Sequence, residues 1–295
     1  LIVLFIVGLT VGKASTLPAS TVTIKATTDD ALVVEQGRYL ATVGNCVSCH
    51  TRPDGEPFSG GVRFETNFGS IYASNITPDP ETGIGRWTKA QFLRSMREGL
   101  SANGEHLYPT FPYTAFTKVT EHDLNAIFAY LQTVSPVWYS TPDNDVAFPF
   151  NQRAMIGIWK ALYFDQGVYA ADPTRSEEWN RGAYLVQGLT HCGACHTPRN
   201  VLGAERQNWA LTGATYQDEV QSGKFRRWSA VNLTTAQSGL GSWSSDDIIA
   251  YLKNGINRYA SVFGPMVKVI MNSTRHFTES DLRAIATYLT SLPPK

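Results

Sequence analysis

The sequence predicts an all-α fold built from two tandem copies of one helical module, on three observations. The chain repeats a set of short strings in one order, and its helix starts carry capping hydroxyls. The long loops between helices are rich in Gly, Pro, Asn and Thr, with little to suggest a sheet.

The repeat organises the rest. Gly37-Arg38-Tyr39-Leu40 recurs as Gly182-Ala183-Tyr184-Leu185, and Asn75-Ile76-Thr77 as Asn232-Leu233-Thr234. Thr82-Gly83-Ile84-Gly85-Arg86-Trp87 recurs as Ser238-Gly239-Leu240-Gly241-Ser242-Trp243, and Asp123-Leu124 with Tyr130-Leu131 returns as Asp281-Leu282 with Tyr288-Leu289. The modules are placed at 31–135 and 176–295, joined by a linker over 136–175.

In each module an opening helix, 31–45 or 176–191, runs into a cysteine pair. A middle helix starts after Trp87-Thr88 or Trp243-Ser244, whose hydroxyl can cap free N–H groups ahead of Phe92, Leu93 and Met96, or Ile248, Ile249 and Leu252. A last helix starts at Thr120 or Thr278, with Asp123 or Asp281 three residues on, close to a capping box. In the linker, Pro136, Pro142 and Pro149 precede an amphipathic helix over 151–164 carrying Met155, Ile158, Trp159 and Leu162. Such a stripe is either a bracket packed across both modules or a docking face for a partner subunit or membrane.

A chain of 295 residues with 43% hydrophobic content can build two cores. Lys plus Arg and Asp plus Glu stand at 25 each, so no net field favours nucleic acid or an anionic surface. The apolar run 1–12 is shorter than the roughly 20 residues of a spanning helix and precedes Lys13-Ala14-Ser15. Residues 1–20 therefore read as the tail of an export signal, with an uncleaved anchor as the alternative, and are left out of the fold.

The four cysteines form Cys46-Val47-Ser48-Cys49-His50 and Cys192-Gly193-Ala194-Cys195-His196, the spacing for c-type haem attachment. Two thiols on one helical turn can add to the two haem vinyl groups, and the following imidazole, His50 or His196, becomes the proximal iron ligand. A single Cys₄ zinc site would leave both histidines unexplained and join cysteines that open separate repeats. Two covalent haems would supply the core on which the long loops pack, so each module reads as a class I cytochrome c domain.

The sixth ligand decides whether each iron only passes electrons. In the second module Met266, in Gly264-Pro265-Met266, is the candidate, with Met271 as competitor and core packing as the bland alternative. In the first module the same count from Trp87 lands on Thr110, beside Phe111, and neither can ligate iron. Met96 continues the apolar face of its helix and reads as core. His106 is a candidate ligand that can equally serve the loop or a haem propionate, and an open iron position stands as the alternative. His122, His191 and His276 sit among polar residues and read as surface or capping groups.

These residues resemble the multi-haem cytochrome c subunits of membrane-associated bacterial dehydrogenases, the group acting on gluconate, fructose and alcohols. The likeness covers about residues 35–293. It rests on Asn75-Ile76-Thr77-Pro78-Asp79-Pro80, on Leu107-Tyr108-Pro109-Thr110-Phe111-Pro112-Tyr113 and on Glu178-Trp179-Asn180-Arg181-Gly182-Ala183-Tyr184-Leu185. The resemblance implies an electron-transfer subunit on the periplasmic side of the bacterial inner membrane, membrane-associated. Its partners would be a catalytic flavoprotein, quinoprotein or molybdenum dehydrogenase upstream and ubiquinone or a terminal oxidase downstream. Family members commonly hold three haems, and the chain stops at Lys295 where a third module would begin. In the family the first haem's methionine sits where Phe111 stands, or in a Thr-Lys-Met that here reads Thr117-Lys118-Val119. Against the electron relay stand a dihaem peroxidase-like enzyme using an open first haem, and a ligand sensor.

Overall fold

The computed structural model describes residues 28–221 and 224–295; the apolar run at 1–12 lies outside them. In chain order the first part contains α1 (Thr28–Val43), α2 (Cys46–His50), β1 (Arg63–Thr66), β2 (Gly69–Tyr72), α3 (Lys89–Glu98), α4 (Tyr113–Phe116) and α5 (Glu121–Leu131). Next come β3 (Asp145–Val146) and α6 (Arg153–Tyr163). The last part holds α7 (Glu177–Tyr184), α8 (Gly193–His196), β4 (Ala214–Gln221), β5 (Lys224–Ala230), α9 (Ser245–Asn254), α10 (Met266–Asn272) and α11 (Glu279–Thr290).

The all-α expectation is corrected: the chain is 41% helical and 11% strand, with two antiparallel sheets. One has the order β1-β2-β3, and the other is the hairpin β4-β5. Both lie between a cysteine pair and a middle helix, or in the linker, where the sequence reads as loop. Their ladders satisfy backbone groups that a loop packed on protein would otherwise leave unpaired. The two meet where the Arg63 guanidinium stacks over Phe225, 5.0 Å from the ring centre.

Opening and closing helices cross at a glycine in both modules. A Cβ on Gly37 would stand 1.9 Å from the Ala126 carbonyl oxygen, and one on Gly182 would stand 1.9 Å from that of Ala284. Only glycine lets α1 meet α5, and α7 meet α11, at this distance. The middle helices start as expected, each with a capping box: Thr88 with Gln91 on α3, and Ser244 with Asp247 on α9.

The opening helices end differently. From Gly37 to Cys46 is nine residues and from Gly182 to Cys192 is ten. The helix takes up the extra residue as a π turn over Leu185–Leu189. Each module then enters the attachment turn through a left-handed residue, Asn45 at φ 56° and His191 at φ 39°.

The last helices depart from the simple box. Thr120 and Thr278 accept from the N–H of Asp123 and Asp281, but those carboxylates reach into the other module. The Tyr184 hydroxyl donates to Asp123 at 2.6 Å, and the Tyr39 hydroxyl donates to Asp281 at 2.7 Å. Each hydroxyl also accepts the N–H of the capping threonine, Thr120 or Thr278. Equivalent residues of the two repeats thus exchange equivalent bonds, the signature of a pseudo-two-fold junction.

Helix α6 is tied to both flanks. Lys160 Nζ donates to the carbonyls of Glu98 and Gly99 at the end of α3, and Trp159 Nε1 donates to that of Leu202. Met155, Ile158 and Leu162 on its other face are exposed.

Candidate haem-binding sites

On each attachment turn the two cysteines are three residues apart, so both thiols lie on one side of a helical turn, with the histidine next in line. Ser48 Oγ donates to Asn45 Oδ1 at 2.6 Å and fixes the entry to the first turn. All four cysteines are free of disulfides and, as residues, half-buried. Yet protein surrounds them closely enough that burial pushes Cys46 up to about 12, Cys49 to about 11 and Cys195 to about 12, and raises Cys192.

The imidazoles are oriented alike. His50 Nδ1 lies 2.7 Å from the Ser74 carbonyl, and His196 Nδ1 lies 2.7 Å from that of Val231. An Nδ1–H donated to a carbonyl fixes the tautomer and leaves the Nε2 lone pair free for a metal. Burial pushes both imidazoles down, towards the neutral form that ligates.

The repeated Asn-x-Thr strings follow these two carbonyls directly. Asn75 Oδ1 accepts from Thr77 N and Oγ1, and Asn75 Nδ2 donates to the Val137 carbonyl. Asn232 Oδ1 accepts from Thr234 N, and Asn232 Nδ2 donates to the Lys295 carbonyl. The strings clamp the loop that aims each histidine. They are visible as a repeat, but that task depends on a fold that brings residue 74 to residue 50.

Met266 is half-buried and begins α10, after Pro265 and a left-handed Gly264 (φ 61°). The Trp228 ring fills the space a Gly264 side chain would need, 2.5 Å from its Cβ position, so β5 seats this loop. Met271 points elsewhere: it is 49% exposed, and its sulfur accepts from Arg275 Nη1 at 3.2 Å. Met96 is buried on α3, and Met155 is exposed on α6.

In the first module His106 lies against α6. Its Nε2 would be 2.9 Å from a Cβ on Gly157, its carbonyl accepts from Arg153, and its Nδ1 is buried without a partner. Among the other histidines, His122 and His276 are exposed side chains bonded to Asp123 and to the Met271 carbonyl. His191 departs from its surface reading. It packs edge-on to Phe116 at 5.3 Å, with Nε2 3.3 Å from the Gly44 carbonyl, at the junction between the modules.

That junction brings the two attachment turns together. Asn272 Nδ2 of α10 donates to Ser48 Oγ of α2, and Ser273 Oγ donates to the Val43 carbonyl. The Cys49 and Cys195 thiols are near enough for the Cys49 charge to add to the rise of Cys195. The four cysteines still form two pairs, for among the described residues no three His, Cys, Asp or Glu side chains gather to hold a metal ion. The donor chemistry fits haem c: two thiols for thioether bonds and one free imidazole nitrogen, twice.

Residues 34–135 match the cytochrome c family. A dihaem cytochrome c-type protein of Cereibacter sphaeroides is 39% identical over 265 residues, covering 88% of this chain and 85% of that protein. The chain belongs to the cytochrome c family. As a cytochrome c it carries covalently bound haem. It is also 45% identical over 263 residues to a subunit of the nicotinate dehydrogenase of Pseudomonas putida, covering 89% of this chain and 21% of that protein. To the fructose dehydrogenase cytochrome subunit of Gluconobacter japonicus it is 42% identical over 266 residues, 89% of this chain and 53% of that one. The cytochrome thus spans from about a fifth to about half the length of these two relatives. Among the described residues, no helix is long and apolar enough to cross a membrane.

Proposed function

We propose that the chain is a dihaem electron relay, one haem held by Cys46, Cys49 and His50 and the other by Cys192, Cys195, His196 and Met266. The observation that carries it is the pair of equivalent attachment turns, each with an imidazole nitrogen free, set side by side across the junction. When bound, the haems supply one-electron chemistry. The polypeptide's own work is to fix their spacing and to hold each imidazole through a carbonyl.

Met266 is the sixth ligand of the second haem in this reading. Its half-buried place on a loop seated by Trp228, with Met271 engaged by Arg275, supports the choice. A thioether there raises the potential and closes the iron. The relatives named as dehydrogenase subunits suggest the partner, a catalytic dehydrogenase that feeds electrons in. In this reading it does so on the periplasmic side of the inner membrane, with quinone or a terminal oxidase drawing them off. The peroxidase alternative has no support from the relatives.

A redox titration of the haem-loaded chain tests this reading. Two one-electron waves are expected, with one lost in the Cys46→Ala/Cys49→Ala variant. The near-infrared methionine-to-iron band should vanish in Met266→Ala. A band that persists removes Met266 from the site, and uptake of only one electron per chain removes the relay.

A further inference from the structure

Resting on the dihaem reading, we propose that the first haem has no protein sixth ligand, and that this open position, roofed by Phe111, binds a small neutral diatomic such as carbon monoxide or nitric oxide in the reduced protein.

The register of the two ligand loops comes first. Helix α3 ends at Gly99 and α9 at Gly255, both left-handed. Each glycine carbonyl then accepts a returning backbone N–H, from Leu107 in one module and Val262 in the other, at 2.7 Å. An isolated bridge closes each turn, Leu100 with His106 and Ile256 with Ser261, so the first turn is one residue longer. A count from the tryptophans ignores that residue and pairs Met266 with Thr110. Counted from the returning N–H, Met266 is the fourth residue after Val262, and Phe111 is the fourth after Leu107. Phe111 therefore holds the methionine's place, packed 5.5 Å from Phe116.

The other donors are accounted for. The sequence holds four Met and six His, and all lie among the described residues. Met96 occupies the position that Leu252 fills in the second module, the eighth residue after the cap on helices of equal length. Met155 is on α6, and Met271 is held by Arg275. His106 has its Nε2 against the α6 backbone, His191 is at the junction, and His122 and His276 are exposed. Val119, the alternative methionine position, is fully buried with a methyl 3.7 Å from where a Cβ on Gly188 would stand.

One polar group stands close by. Tyr113 is fully buried and its hydroxyl has no partner, but its ring is wedged against Gly99, with Phe164 at 5.2 Å and Lys160 over its face. Burial holds the phenol in its neutral form, a poor iron ligand. An apolar roof favours a neutral ligand over an anion.

The test is a carbon monoxide titration of the reduced chain, with haem counted on the same sample and the spin state read on the oxidised form. We expect two haems, one low-spin and one high-spin, and uptake of one carbon monoxide per chain. Phe111→Met should abolish uptake and double the methionine-to-iron band. Two low-spin haems with no uptake overturn the proposal while leaving the relay intact, and fewer than two haems overturns both. If His106→Ala or Tyr113→Phe creates a high-spin haem absent from the parent, that side chain is the ligand and the proposal fails. The titration of the unsubstituted chain decides even if Phe111→Met does not fold.

Discussion

The two modules solve the same anchoring problem with different residues. In the second, Asp281 receives both the Tyr39 hydroxyl and a two-pronged Arg181 guanidinium, at 2.8 and 2.9 Å. In the first, Asp123 receives the Tyr184 hydroxyl, and Gln36, standing where Arg181 stands in the repeat, reaches it only at 3.3 Å. The second module has a charge pair and a methionine on its ligand loop, where the first has an amide and a phenylalanine. A duplicated scaffold keeps the geometry common to both sites, namely cysteine turn, imidazole and carbonyl clamp, while the residues around it diverge.

The largest effects should come where the modules are alike. Gly37→Ala or Gly182→Ala puts a methyl group into a carbonyl oxygen on a crossing helix. Each should cost about 3 kcal/mol, the upper end of overpacking, by thermal or denaturant unfolding of the haem-loaded chain. A marked difference between the two would break the equivalence of the helix crossings.

The anchors should differ by less. Burial pushes Asp281 up, but Arg181 and Tyr39 outweigh it, leaving the carboxyl below its ordinary range. A depressed folded-state value means stability that is fully present above about pH 4 and lost as pH falls through the folded value. Asp281→Asn should therefore cost about 2 kcal/mol near neutrality and flatten the acid limb of a stability profile. Asp123→Asn, with an arginine acting on it only through space and not by a hydrogen bond, should cost about 1 kcal/mol. Equal losses would show that the charge pair adds nothing.

Smaller again, Thr88→Ala and Ser244→Ala each remove a helix cap, worth about 1 kcal/mol or less, and chemical denaturation should find them alike. Least of all, Met271→Leu should leave the methionine-to-iron band untouched and stability within about 0.5 kcal/mol. Loss of the band would move the ligand from Met266 to Met271.

Much of this was legible in the sequence because it is local. The cysteine turns, the caps at Thr88, Thr120, Ser244 and Thr278, and the repeat depend on residues a few positions apart. Strands β4 and β5 were also open to reading from composition, since Thr215-Tyr216-Gln217 and Phe225-Arg226-Arg227-Trp228 are rich in strand-forming residues, yet the helical pattern on either side hid them. β1 and β2 have four residues each, too few for alternation to register. The bonds from Tyr39 to Asp281 and from Tyr184 to Asp123 were beyond reach. A repeat identifies equivalent residues but does not say that they pair across modules. The junction place of His191 likewise depends on which surfaces meet, and the Phe111 register on a one-residue difference between two closed turns.

Intact-mass spectrometry of the denatured chain tests the central claim most directly, because thioether-bound haem survives unfolding. The account predicts the polypeptide plus two haems, falling to one in Cys46→Ala/Cys49→Ala and to one in Cys192→Ala/Cys195→Ala. A full-length chain that carries a single haem, or one that loses both when either pair is replaced, would contradict it.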